Sequence, residues 1–75
     1  MITQVSNRIF VESLTPREQQ IAEAIARGLS NKQIAAEFGI STETVKRHLA
    51  SVYGKLSLPG RVALAIHVVR TTHAA

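Results

Sequence analysis

From Ser30 to Lys55 the chain reads SNKQIAAEFGISTETVKRHLASVYGK, and this stretch leaves few folds open because it punctuates itself. Ser30 can cap the free amides of a helix start, and Gln33, three residues on, completes a capping box. Ile34, Ala35 and Phe38 form one apolar stripe at helical spacing, and Gly39 follows where a helix end calls for a residue tolerant of positive φ. Ile40 plugs the turn, and Ser41 or Thr42 can cap a second helix. There Val45, Leu49, Val52, Tyr53 and Leu56 recur at the three-and-four spacing of a single buried face. The pattern predicts two helices joined by a tight turn, with Ser41 to Leu56 as the longer one.

Rotating that second helix by about 100° per residue puts Glu43, Arg47, Ala50 and Gly54 opposite the apolar stripe. Lys46 falls on one shoulder, and Thr44, Ser51 and Lys55 on the other. A basic outer face is often no more than a solvated one, but a capped helix and a tight turn ahead of it make a helix-turn-helix whose second helix suits a DNA groove. Lys46 and Arg47 can reach base edges or phosphates, while Ala50 and Gly54 remove bulk where the helix approaches closely.

Charge along the chain is segregated. The acids Glu12, Glu18, Glu23, Glu37 and Glu43 all lie at or before position 43, together with Arg8, Arg17, Arg27 and Lys32. Beyond Glu43 come Lys46, Arg47, Lys55, Arg61 and Arg70 with no acid among them. A polyanion is the natural partner of that half. A length of 75 residues allows one domain and no second, catalytic one. Without cysteine there is neither a disulfide framework nor a thiolate metal site, in keeping with a reducing cytoplasm. The longest apolar run, Val62 to Ile66, is far short of a membrane span, and the N-terminus lacks a secretory signal pattern. A soluble, cytoplasmic protein is expected.

The flanks fit an all-α architecture of four helices, at about 16–27, 31–38, 42–56 and 61–71. Residues 1–13 show no period and read as a tail or linker remnant, 14–72 as the domain, and 73–75 as a C-terminal tail. Thr15, Pro16 and Glu18 give a capped helix start, Ile21, Ala24 and Ile25 its buried stripe, and Gly28 its stop. After Leu56 the stretch Ser57, Leu58, Pro59, Gly60 breaks the helix, since Pro59 disfavours helical geometry at Leu58 and Gly60 adds a turn position. In the last helix Val62, Ile66 and Val69, flanked by Ala65, are expected to close the core. Leu64 and Val68 then form a second, exposed stripe, which with His67 is the expected dimer interface.

No nucleophile–base pair, paired carboxylates or phosphate-binding glycine loop is visible, so nothing suggests an enzyme or a cofactor. His48, His67 and His73 lack the spacing of a zinc motif, and no metal site is expected. His48 lies at the margin of the buried stripe, placed to pack at the helix edge or to reach a phosphate.

LTPRE at Leu14 to Glu18, GLSNKQIA at Gly28 to Ala35, TVKRHL at Thr44 to Leu49 and the cluster Tyr53, Lys55, Leu56 together resemble the LuxR/GerE-type helix-turn-helix, most closely that of NarL/FixJ-type response regulators. The resemblance covers about Leu14 to Thr71. It implies a four-helix DNA-binding domain that dimerises through its last helix, and a transcriptional regulator that is the output domain of a two-component system. By position in the motif, Lys46, Arg47 and Ala50 fall where base contacts are made. Ala50 departs from the longer polar residues found there, which leaves an apolar contact to a thymine methyl or none. Glu43 can accept from a cytosine amine or favour the helix dipole. Phosphate contacts are expected from Ser30, Asn31, Lys32, Thr44 and Lys55, which position without specifying. The alternatives are a stand-alone small regulator, a sigma-factor region-4-like domain working with RNA polymerase, and a protein-interaction module that does not touch DNA. A basic amphipathic membrane binder is the weakest, since the basic face carries no large aromatics.

Overall fold

The computed structural model of the chain describes residues 14–73. The expected tail at 1–13 and the last two residues of the expected tail at 73–75 lie outside the described residues, whereas residue 73 belongs to the last helix. Four helices follow one another: α1 (Pro16–Ala26), α2 (Asn31–Phe38), α3 (Thr42–Leu56) and α4 (Arg61–His73). No strand occurs among the described residues.

Both predicted capping boxes are present. The Thr15 hydroxyl accepts from the Glu18 amide at 3.1 Å while Glu18 Oε1 accepts from the Thr15 amide at 3.0 Å. Ser30 and Gln33 make the same reciprocal pair at 3.1 and 2.8 Å. Ser41 caps α3, accepting from the Thr44 amide. The helix ends share one device. After α1 the amide of Gly28 (φ 87°) donates to the Ile25 carbonyl and that of Leu29 to Ala24. After α2 Gly39 (φ 66°) takes the left-handed position and the Ile40 amide reaches Ala35. These closures satisfy carbonyls that the helices leave over.

Helix α3 stops at Leu56, as expected, but by a device the sequence did not signal. Its left-handed residue is Ser57 (φ 55°), with the Leu58 amide bonded to the Tyr53 carbonyl at 2.9 Å. The helix is therefore closed before Pro59 and Gly60 are reached, by a residue whose Cβ makes that conformation costlier than glycine would. At the other end of the chain α4 runs to His73 rather than 71. The hydroxyls of Thr71 and Thr72 donate back to the carbonyls of His67 and Val68 one turn earlier, which supplies local bonds that the apolar periodicity does not register.

Helix α1 packs on both α3 and α4, and α2 packs on α3. The core comprises Leu14, Ile21, Ala22, Ala24, Ile25, Ile34, Ala35, Val45, Leu49, Val52, Leu64 and Val68, with Leu29, Phe38, Ile40, Tyr53 and Leu56 packed at its margin. Arg17 of α1 sits 4.9 Å from the centre of the Phe38 ring and covers the end of α2.

The faces of α4 are the reverse of those predicted. Leu64 and Val68 are 0% and 4% exposed, whereas Val62, Ile66 and Val69 are 71%, 47% and 47% exposed. Leu64 and Val68 therefore belong to the protomer's own core and cannot form the expected dimer interface; His67, between them in sequence, is half-buried. Residues 62 to 66 are apolar without a break, so periodicity cannot choose a rotation. The packing against α1 that buries Leu64 and Val68 chooses it. At the start of the helix the Arg61 guanidinium donates to the Leu29 carbonyl at 2.8 Å and to Asn31 Oδ1 at 3.0 Å. Residues three and seven further on, Leu64 and Val68, share its side.

Candidate nucleic-acid interface

Burying Val45, Leu49 and Val52 leaves the opposite side of α3 to solvent. Glu43, Lys46, Arg47, Ala50 and Gly54 are all exposed there, with Thr44, His48 and Ser51 half-buried on the flanks. The structure thus brings the four predicted base-reading residues onto one open face. Lys46 Nζ stands 3.7 Å from Glu43 Oε2, a loose pair of groups whose side chains are 62% and 78% exposed and which solvent largely screens. Arg47 makes no ion pair or hydrogen bond among the described residues. Its fork of donors is uncommitted, on the outer face of a helix that projects it into solvent.

Gly54 lies seven residues from Arg47, two turns along the same face. A Cβ built there would meet nothing within 4 Å, so the chain's own packing does not require glycine at this position. Glycine inside a helix costs about 1 kcal/mol relative to alanine. What Gly54 supplies is a low surface on the outward side of α3.

The predicted phosphate contacts fall into three situations. Ser30, Asn31 and Lys32 stand together at the start of α2, where the Ser30 hydroxyl accepts from the Gln33 amide but keeps its own proton to donate. Thr44 shares a 3.0 Å hydrogen bond with Ser41 at the start of α3. Lys55 is different. Its ammonium donates to Glu18 Oε1 at 2.8 Å, and the Ser51 hydroxyl donates to Glu18 Oε2 at 2.8 Å. Glu18 is 5% exposed, so in the protomer the Lys55 ammonium neutralises a buried carboxylate.

Burial alone would push the Glu18 carboxyl up, because it disfavours the charged form. The bonds from Lys55, the Thr15 amide and Ser51, with the charge of Lys55 beside it, outweigh that and bring it from the ordinary 4.5 down to about 2. One side chain thus closes the cap of α1 and fastens the C-terminal half of α3. Glu18 was legible as a capping residue, but its second role was not: 37 residues separate it from Lys55, and no local pattern links them. Arg61 was missed for the same reason. Its partners lie 30 and 32 residues away, and the sequence marks it only as one cation of an acid-free half.

Among the other acids described, Glu37 pairs with Arg27 at 2.9 Å. Past Glu43 the exposed face of α3 carries no acid. Cations and a low surface coincide on one helix face whose single acid, Glu43, stands at its start, which suits contact with a polyanion. No described helix is long and apolar enough to cross a membrane.

Residues 12–68 match the family described as GerE, bacterial regulatory proteins, luxR family. The chain is similar to the probable transcriptional regulatory protein SgaR of Hyphomicrobium methylovorum, 51% identical over 59 residues, which is 77% of this chain and 28% of that protein. It is 50% identical over 56 residues to the nitrate/nitrite response regulator protein homolog of Haemophilus influenzae, covering 75% of this chain and 27% of the relative. With the transcriptional regulatory protein UhpA of Escherichia coli it shares 46% identity over 54 residues, 72% of this chain and 28% of UhpA. The chain therefore spans little more than a quarter of the length of these relatives.

Proposed function

Since the chain belongs to the luxR family of bacterial regulatory proteins and carries that family's DNA-binding helix-turn-helix, we propose that it binds duplex DNA sequence-specifically as a transcriptional regulator, with α3 lying in the major groove. The observation that carries this reading is the uncommitted, exposed Arg47 beside Lys46 on the open face of α3. A guanidinium so placed can bond O6 and N7 of one guanine together. Lys46 reads a neighbouring base, Ala50 meets a thymine methyl or leaves room, and Glu43 orients Lys46 or accepts from a cytosine amine. Gly54 lets the far end of the helix settle close to the duplex.

Ser30, Asn31, Lys32 and Thr44 hold phosphates and fix the register of the domain on DNA. Lys55 serves the fold instead. Two protomers associate through α4, using Val62, Ile66 and Val69, the large apolar side chains that the core leaves exposed. Such a pair presents two recognition helices to half-sites about one helical turn apart. Residues 14–72 form the DNA-binding unit, and 1–13 a tail or linker remnant. The likeness to a relative named as a response regulator supports its being the output domain of a two-component regulator, acting in the cytoplasm alongside RNA polymerase.

The test is selection from a library of random duplexes at two salt concentrations, with the mass of the complex recorded. Enrichment of a repeated half-site bound by two protomers, with affinity falling steeply as salt rises, is the expected result. Retention of no duplex at either salt would overturn the reading.

A further inference from the structure

Arg61 is exposed, yet it is more fully engaged than any other arginine among the described residues. It holds two acceptors, the carbonyl that precedes the cap of α2 and the carboxamide of the first residue of α2. Helix α2 packs chiefly on α3, so this fork is a direct polar tie between the start of α2 and the start of α4. Its chemistry also decides an orientation. A guanidinium can only donate, so the oxygen of the Asn31 amide must face it. The Nδ2 group, which can only donate, is then left without a partner among the described residues.

We propose that Arg61 is a positioning residue for DNA binding: by holding Asn31 Oδ1 and the Leu29 carbonyl, it turns the Asn31 Nδ2 donor outward to a backbone phosphate. This rests on the DNA-binding reading and deepens it. A phosphate oxygen only accepts, so an amide turned the other way would present oxygen to oxygen. Arg61 selects the productive orientation without touching the DNA. Its neighbour Val62, the most exposed large apolar residue of α4, belongs to the proposed self-association face, so the same turn of helix links that face to the phosphate-facing end of α2.

A double-mutant cycle on affinity for a selected duplex tests this, with thermal melts confirming that each variant is folded. Arg61→Ala and Asn31→Ala should each weaken binding about threefold to tenfold, the range of one lost hydrogen bond. The double variant should be no weaker than the worse single one, because both remove the same contact. Arg61→Lys should fall between parent and Arg61→Ala. Asn31→Asp, which keeps an acceptor for Arg61, should bind less well than Asn31→Ala because it presents negative charge to phosphate. The salt slope of Arg61→Ala should match that of the parent.

Additive losses would overturn the proposal, as would unchanged affinity in Arg61→Ala. A slope smaller by about 0.9 would do so too, since it would mean that Arg61 itself neutralises a phosphate. If the parent chain bound no duplex at all, the DNA-binding reading would fail first and take this inference with it.

Discussion

Leu64→Ala should destabilise the protomer by about 2 to 5 kcal/mol, the cost of emptying a fully buried leucine site. Leu64 is 0% exposed and stands where α4 packs on α1. A domain of this size has total stability on the order of 5 kcal/mol, so a loss at the upper end of this range would leave about half of the variant unfolded at room temperature. Ile66→Ser should behave in the opposite way. Ile66 is 47% exposed, and its loss should alter protomer stability by less than about 1 kcal/mol while weakening self-association. Urea unfolding at low protein concentration, paired with sedimentation at high concentration, separates the two. Loss of self-association in Leu64→Ala with full protomer stability would mean that the helix presents the other face.

The second large effect concerns Lys55. Lys55→Met removes the one cation that is bonded to a buried carboxylate among the described residues and leaves Glu18 with the Thr15 amide and the Ser51 hydroxyl. Breaking a fully buried pair costs about 3 to 5 kcal/mol. The side chain of Lys55 is 38% exposed, and solvent screening brings the expected loss down to about 2 kcal/mol.

The pH dependence follows with a definite sign. Glu18 titrates at about 2 in the folded protein against an ordinary 4.5, so its folded-state value is depressed. The stability it contributes is therefore complete above 4.5 and is lost as pH falls toward 2, to the extent of roughly 3 kcal/mol. Urea midpoints of the parent should drop across that window, and Glu18→Gln should flatten this part of the curve. A Lys55→Met variant as stable as the parent, but with a salt slope for DNA binding reduced by about one unit, would return Lys55 to the phosphate-contacting role first expected of it.

What could be read in the sequence and what could not divide along physical lines. Caps, stops and the buried stripes of α1 to α3 were legible because each rests on residues three or four apart, which a helix makes neighbours. Thr15 with Glu18, Ser30 with Gln33, and Gly39 are of this kind, as is the open face bearing Lys46, Arg47 and Ala50. The rotation of α4 was illegible because its apolar residues nearly surround it, and the packing against α1 that buries Leu64 and Val68 joins residues far apart in sequence. The pairing of Lys55 was illegible for a related cause: nothing local to a lysine near the end of a basic helix shows that the buried carboxylate of Glu18 lies beside it. The end of α3 at Leu56 was legible from the Ser57 to Gly60 stretch, but the left-handed turn at Ser57 was not, because serine gives no signal for it.

The account stands or falls on α3 reading bases, and Arg47→Ala tests that most directly. Its affinity should be measured on the selected duplex and on a random duplex of the same length at one salt concentration. Loss of about 1 to 3 kcal/mol on the selected site, with relaxed preference at one base pair and a much smaller loss on the random duplex, is the predicted result. Equal loss on both would contradict it, and would make Arg47 one more phosphate contact on a helix that does not read sequence.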